Sequence, residues 1–493
     1  MQNFCTMKKI RIFTLILSLI ALSCSKDKEL NIPGTVNPDP EAGVDVQDFM
    51  WKAMNFWYFW QDDVPNLADD RFVNTPEGIE AYTAFLDSED NPGLFFDNKL
   101  LISDDRFSFF NEDYKVLTQS LAGISRSNGL EFGLVRFQNS ENIFGYVRYI
   151  VPGSDAASKD IERGELFTGV DGVALTASNF GQLLFGKNDT YTLDMAEFIG
   201  GELATNGKEV TLTKERALAE NPVFISKTFE ISGEKIGYLM YNQFANEYDA
   251  QLYNAIEALK AAGITNLVMD LRYNPGGSVN TTRLLASMIY GTDKSNLFLR
   301  KRYNEKLQPE FSKDQLEVYF TDKVGSTTIN SLGLGKVYVL TSASSASASE
   351  LLINSLEPYM DVVQIGDVTR GKNEFSRTLV DDRENSYLYT PSRVNKINPK
   401  VQWAIQPLLG RNENADGFFD YTSGLVPDIA LKEDLTNLGI LGDQNEPLLA
   451  RAIQEITGST GKRDFTVLVP ADIISSSKAF SPIGERMVDD THY

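Results

Sequence analysis

The chain has 493 residues, 42% hydrophobic and 11% aromatic, which is enough for several buried cores of ordinary domain size. Its 68 acidic against 46 basic residues leave a net charge of −22, which argues against a nucleic-acid partner, because that needs a basic face. With one histidine, His492, and two cysteines, Cys5 and Cys24, the composition argues against a zinc centre, an internal disulfide in the mature chain or a histidine-based triad, so no metal and no cofactor is expected.

Met7-Lys8-Lys9-Ile10-Arg11 is a basic start, and residues 12–22 are an apolar run too short to span a bilayer. Ala21-Leu22-Ser23-Cys24 then resembles a lipobox, with Cys24 as the acylated residue. Residues 1–24 are therefore expected to be a lipoprotein signal peptide. Ordinary leader cleavage is the alternative, since Ala21 stands where leucine is usual. Residues 25–44 are polar and carry Pro33, Gly34, Pro38 and Pro40, a flexible tether. The expected location is the bacterial cell envelope, lipid-anchored at the outer membrane, facing either the periplasm or the outside.

Residues 45–120 are expected to be helical. Phe49, Ala53, Phe56, Trp57 and Trp60 recur at helical spacing over residues 46–61, with Asp45 as a cap and the aromatic stripe as a core face. A second helix is predicted over 75–87, with Pro76 in its first turn. Residues 121–220 read as β-rich. Gly129-Leu130-Glu131-Phe132-Gly133, a strand at Tyr146–Val151, Gly153-Ser154-Asp155-Ala156-Ala157 and Val170-Asp171-Gly172-Val173 follow in an order similar to a PDZ domain. That similarity implies peptide binding through Leu130, Glu131, Phe132 and Gly133, by strand addition and capture of a terminal carboxylate. Glu131 departs from the pattern, since a carboxylate repels a carboxylate. Either the loop lies elsewhere, or Glu131 points away with Arg126 compensating, or internal segments are preferred. A spacer that only gates the active site is the other reading of this region.

Residues 221–460 read as the core. Strands are predicted at 223–230 and 235–241, an amphipathic helix at 248–262 with Leu252, Ile256 and Leu259 on one face, and a buried parallel strand at 266–271. This order predicts a βαβ unit. The turn Asn274-Pro275-Gly276-Gly277 follows, then a helix over 279–290. Residues 292–332 read as an irregular, charged surface excursion. Val337–Thr341 is a short apolar strand, leading into Ser342-Ala343-Ser344-Ser345-Ala346-Ser347-Ala348-Ser349-Glu350 and a helix. Gly366-Asp367-Val368-Thr369-Arg370-Gly371-Lys372 lies beyond it. A serine at a helix N-terminus meets N–H groups that stabilise negative charge. It needs a base, and a buried lysine kept neutral can serve. From the residues alone, the stretch reads equally as a Ser/Ala surface loop with a solvated lysine. A final helix is predicted over 446–458. Residues 461–493 are a polar extension with no legible role.

Ser-Ala-Ser-Ala-Ser-Glu, then Gly-x-x-Thr-x-Gly-Lys, then the upstream Asp270-Leu271-Arg272-Tyr273-Asn274-Pro275-Gly276-Gly277, together resemble the S41 peptidases, the carboxy-terminal processing proteases. Asp104–Phe110 resembles that family's Asp-x-x-Ser-x-Phe/Tyr segment, and Gly424-Leu425-Val426-Pro427-Asp428 its Gly-x-x-Pro-Asp. The resemblance implies an α/β, multidomain chain: an N-terminal helical region, a PDZ-like β-rich domain and a βαβ-based ClpP/crotonase-like peptidase core. It implies a nucleophile, Ser347, and a general base, Lys372. The backbones of Gly276, Gly277 and Ala348 are the expected oxyanion hole. The family carries glutamine where Ser376 stands, so Ser376 is the expected orienter of the lysine, with activity the property in question. Glu374 is taken as solvent-facing. Polypeptides are the expected substrates. The rivals are a peptide-binding envelope lipoprotein impaired in catalysis and a hydrolase acting on non-peptide acyl groups.

Overall fold

A computed structural model describes Pro40 and residues 43–491, except 138, 139, 201, 460–463, 481–483 and 485. The leader, Cys24, most of the tether and His492 lie outside the described residues. No helix among the described residues is long and apolar enough to cross a membrane.

The N-terminal region is helical, as its periodicity predicts. Helix Asp45–Trp57 buries Phe49, Met50, Ala53 and Trp57, with Val44 at its N-cap and Asp45 inside the first turn. Helix Pro76–Leu86 starts on Thr75, whose hydroxyl accepts the Gly78 N–H at 3.1 Å. Residues 130–213 form a β-rich lobe. Its sheet runs Leu130–Arg136, Ile143–Ile150, Leu166–Val170, Thr190–Ile199 and Glu202–Thr213 in spatial order, around a core that includes Phe132, Phe167 and Leu193.

The core is a six-stranded sheet ordered Val223–Ile231, Glu234–Tyr241, Asn266–Asp270, Lys336–Thr341, Asp361–Gly366 and Ile429–Ala430, parallel after its first hairpin. Within Asn266–Asp270 the apolar run Leu267-Val268-Met269 is fully buried, as a strand covered on both faces requires. Helix Asp249–Ala261 makes the first crossover and buries Leu252, Ile256 and Leu259. A second six-stranded sheet lies beside it, ordered Gly276–Ser278, Arg486–Val488, Glu374–Ser376, Leu408–Glu413, Leu297–Tyr303 and Glu317–Tyr319.

That second sheet corrects two expectations. Leu297–Tyr303 is a strand with Phe298 and Leu299 fully buried, not part of an irregular surface excursion. The described residues of the polar extension have structural roles. They supply Arg486–Val488 to the second sheet and Ile473–Ser476 to the edge of the β-rich lobe.

The Asp270-Leu271-Arg272 segment anchors the turn that follows. Arg272 is fully buried, pairs with Asp270 and grips both oxygens of Glu446 at 2.7 and 2.9 Å. Glu446 in turn caps helix Pro447–Thr457 through the Leu449 N–H. Glu433 joins this network through Arg163, Arg272 and the Tyr273 hydroxyl. Burial alone would raise its carboxyl, but Arg163 and Arg272 outweigh burial and hold it at about 2 against an ordinary 4.5. An acid whose folded value is depressed stabilises the fold above its unfolded value and loses that contribution as pH falls through the folded one. At 1.36 kcal/mol per unit the group carries about 3 kcal/mol, lost between pH 4.5 and 2. Glu433→Gln is therefore expected to be less stable at pH 7 and to show a flatter decline in acid. Urea unfolding at a series of pH values checks this, and a decline as steep as wild type would count against it.

Candidate active site

Ser347 stands between strand Lys336–Thr341 and helix Ala348–Leu356. Its backbone takes φ 64° and ψ −111°, a conformation that costs on the order of 1–3 kcal/mol in a non-glycine residue and persists only where the surroundings impose it. The side chain is fully buried, and its Oγ has no hydrogen-bond partner.

What imposes the geometry is Glu350, one helical turn on. Its Oε2 accepts the Ser347 N–H at 2.6 Å and the Lys372 N–H at 2.9 Å. Its Oε1 accepts the Thr369 hydroxyl at 2.5 Å and the Gly371 N–H at 2.6 Å. One buried carboxylate thus holds the serine turn and the lysine loop together. Burial pushes the Glu350 carboxyl up to about 7 against the opposing pull of these donors. Sequence reasoning gave Glu350 no role. The signal was there: Ser347-x-x-Glu350 has the spacing at which a glutamate reaches back to the N–H of the cap residue.

Lys372 is fully buried, with its Nζ 5.2 Å from the centre of the Phe107 ring. Neighbouring Arg106 donates to the carbonyls of Gly371 at 2.6 Å and Thr422 at 3.2 Å. The segment Asp104–Phe110 therefore does more than close the helical region: it roofs the lysine. Gly371 sits at φ 80°, and a Cβ there would lie 2.3 Å from the Thr422 carbonyl oxygen, which explains the glycine before the lysine.

The Gly276-Gly277 turn packs directly on the serine. A Cβ on Gly276, at φ 110°, would lie 2.7 Å from Ser347 Cβ and 2.3 Å from the Arg486 carbonyl oxygen. Gly276 does not fit its expected part as an oxyanion donor, because its N–H already donates to Asn274 Oδ1 at 2.9 Å. Ala348 keeps a backbone position suited to that part, and Gly277 does so only when residues 486–488 leave its N–H. Ala348 opens its helix, where N–H groups lack intrahelical acceptors. The parallel register of Gly277 with Met487, together with the Arg486 N–H on the Pro275 carbonyl, faces the Gly277 N–H onto the Arg486 carbonyl.

Ser376 is not seen orienting the lysine. Its hydroxyl donates to the Met487 carbonyl at 3.2 Å and accepts from Gln406 Nε2 at 3.0 Å. Glu374 is buried in its strand, 3.5 Å from Arg411, rather than facing solvent.

Leu130, Glu131, Phe132 and Gly133 lie in the edge strand of the β-rich lobe, not in a loop. Arg126 pairs with Asp189 rather than compensating Glu131. Glu131 is buried, and burial is the main cause that pushes its carboxyl up to about 7. It accepts the Ser477 hydroxyl at 2.5 Å. The lobe touches the serine loop through Arg148, which lies over the Tyr273 ring and donates to Ser344 Oγ at 2.9 Å.

The sequence profile of peptidase family S41 matches residues 235–407, and that of the peptidase S41 N-terminal domain matches residues 45–109. The chain belongs to peptidase family S41. Among S41 relatives, a carboxyl-terminal-processing protease of Picosynechococcus sp. is 25% identical over 282 residues, 53% of this chain and 58% of that protein. The chloroplastic carboxyl-terminal-processing peptidase 2 of Arabidopsis thaliana is 28% identical over 281 residues, 55% of this chain and 50% of that one. The chain thus spans about half the length of the curated relatives it matches. A solved structure from Bacteroides fragilis NCTC 9343, assigned to the S41 proteases, is 26% identical with a TM-score of 0.62, covering 84% of this chain and 97% of that one. The photosystem II D1 C-terminal processing protease shares the fold at 19% identity and a TM-score of 0.50, over 86% of this chain and 100% of that one.

Proposed function

We infer that this S41 chain is a serine endopeptidase with a Ser347–Lys372 dyad. It cleaves unfolded or C-terminally exposed protein segments in the bacterial envelope, with the β-rich lobe engaging substrate as a PDZ domain does and Cys24 carrying the lipid anchor. The observation that supports the reading is the Glu350 oxygen shared by the Ser347 and Lys372 N–H groups, which ties the two backbones together within a buried site.

In the mechanism, neutral Lys372 takes the proton of Ser347 as Oγ attacks a peptide carbonyl; full burial favours the uncharged amine. The Ala348 N–H receives the developing oxyanion, joined by the Gly277 N–H once it is released from the Arg486 carbonyl. Lys372 returns its proton to the departing amine. Water then enters, Lys372 takes its proton, and hydrolysis of the ester restores Ser347.

The test incubates the chain and its Ser347→Ala variant with an unfolded protein and follows fragments by mass spectrometry. Fragments from wild type alone are expected. Equal cutting by both would remove Ser347 from the reaction. No cutting by either would favour the second reading, a peptide-binding protein impaired in catalysis, to which the engagement of Ser376 away from a lysine-orienting part lends weight. Metabolic labelling with palmitate, lost in Cys24→Ala, checks the anchor.

A further inference from the structure

Two described stretches near the end of the chain, 473–476 and 486–491, occupy two places at once. Ile473–Ser476 pairs antiparallel with Leu130–Arg136, Ser476 opposite Gly133 and Ile473 opposite Val135. The Ser477 hydroxyl accepts the Phe132 N–H at 3.0 Å. This is how an added peptide strand sits on a sheet edge. Some ten residues on, Arg486–Val488 runs between Gly276–Ser278 and Glu374–Ser376, parallel to both. There the Arg486 carbonyl faces the Gly277 N–H beside Ser347. With the segment in place, Ser347, Ala348 and Lys372 expose no surface. A groove of about 620 Å³ runs alongside, lined by Gly277, Ser278, Asn280 and Arg377 on one part and by Arg486 and Val488 on another, and neither Ser347 nor Lys372 reaches it.

The partners of the segment's two carboxylates are chemically specific. Lys301, 1% exposed, contacts both oxygens of Asp489 at 2.9 and 2.8 Å. The Ser278 hydroxyl donates to Asp490 Oδ2 at 2.6 Å, and the Asn280 N–H to Oδ1 at 2.9 Å. The Arg486 side chain also donates to the Phe107 carbonyl at 2.9 Å, Ser376 Oγ to the Met487 carbonyl at 3.2 Å and Lys301 to Thr491 Oγ1 at 2.7 Å. The main chain adds Arg486 N–H to the Pro275 carbonyl at 3.1 Å and Asp489 N–H to the Ser376 carbonyl at 2.9 Å. Main-chain pairing accepts any extended polypeptide, and the two carboxylate seats add a choice.

We propose that the groove between Gly276–Ser278 and Glu374–Ser376 is a binding site for an extended polypeptide bearing two successive carboxylates, read by Lys301, Ser278 and the Asn280 N–H, and that residues 486–491 are its tethered occupant, displaced when a substrate enters. The assignment of this groove to substrate rests on the peptidase reading above; the binding itself does not.

The test uses the full chain carrying Ser347→Ala and a fluorescein-labelled peptide Arg-Met-Val-Asp-Asp-Thr, followed by anisotropy. Weakening the tether with Asp489→Asn and Asp490→Asn raises the competent fraction, so apparent affinity for the peptide is expected to rise roughly tenfold. The preference for this peptide over its Asn-Asn counterpart is expected to vanish in Lys301→Met. Unchanged affinity in a variant that still unfolds cooperatively would make the segment a permanent strand and overturn the proposal. Should the double variant not fold, hydrogen exchange decides on the chain bearing only Ser347→Ala. Millimolar peptide is expected to speed exchange at Met487 and Val488 while helix Ala348–Leu356 stays protected, and unchanged exchange at those two amides overturns it. Peptide binding in a chain whose Ser347 form never cuts protein would remove the peptidase reading and keep this one. Cutting with no peptide displacement would do the reverse.

Discussion

Lys372→Arg is expected to abolish turnover while leaving the fold standing. Arginine cannot give up its proton under any working condition, so it offers Ser347 no base. Loss of general-base assistance alone is worth roughly 10²–10⁴-fold in rate. The position amplifies the effect: the amine lies in a closed site against the Phe107 ring, where no bulk water stands in for it. Wild-type turnover should rise with pH as the amine loses its proton, and the variant should stay flat at background. The measurement is initial rate on an unfolded protein from pH 6 to 10, paired with a melting curve. Substantial turnover by the arginine variant would end the lysine-base assignment.

Glu350→Gln is expected to cost both rate and stability. Four donors converge on the carboxylate, two per oxygen. An amide has one oxygen, so its NH2 must face one pair: either Ser347 and Lys372, or Thr369 and Gly371. Two buried donors left facing an NH2 cost about 2–5 kcal/mol. Rate suffers separately, because the carboxylate fixes the serine turn against the lysine loop, and a misplacement near 1 Å can cost about 10²-fold. The loss should fall on kcat rather than KM, since Glu350 is buried away from any bound chain. Urea unfolding and steady-state kinetics on the same preparation separate the two effects. A stable variant with unchanged kcat would show that the carboxylate is not what positions Ser347.

Much of this site was legible because its chemistry is local. The serine turn, the Gly-Lys pair and the Asn-Pro-Gly-Gly turn each fit in a short window, and Leu267-Val268-Met269 marks the middle of a buried strand. What stayed hidden depends on partners far along the chain. Leu297–Tyr303 looked like a charged excursion because Arg300-Lys301-Arg302 breaks the apolar alternation, yet Lys301 is neutralised by Asp489, 188 residues away. Glu374 looked solvent-facing for the same reason: nothing nearby shows that its strand is interior. Arg486–Val488 is three residues long, too short for any periodicity, and its neighbours Gly276–Ser278 and Ser376 come from distant stretches. Gly276 was misjudged on a detail finer than a motif, the Asn274 side chain that claims its N–H.

The second sheet also sets an order of events in the making of the molecule. Its strand Gly276–Ser278 is synthesised long before its neighbour Arg486–Val488, and the lysine-bearing loop is complete well before that neighbour exists. Closing so long a loop pays its entropy before any contact repays it, so this pairing belongs among the late and slow steps of folding. A nascent chain would therefore possess serine, lysine and Glu350 in place while the slot beside them is still empty. On that order of events the newly made protein would pass through an interval in which its cleft is open to an unfolded chain, an interval that would end when residues 486–491 arrive.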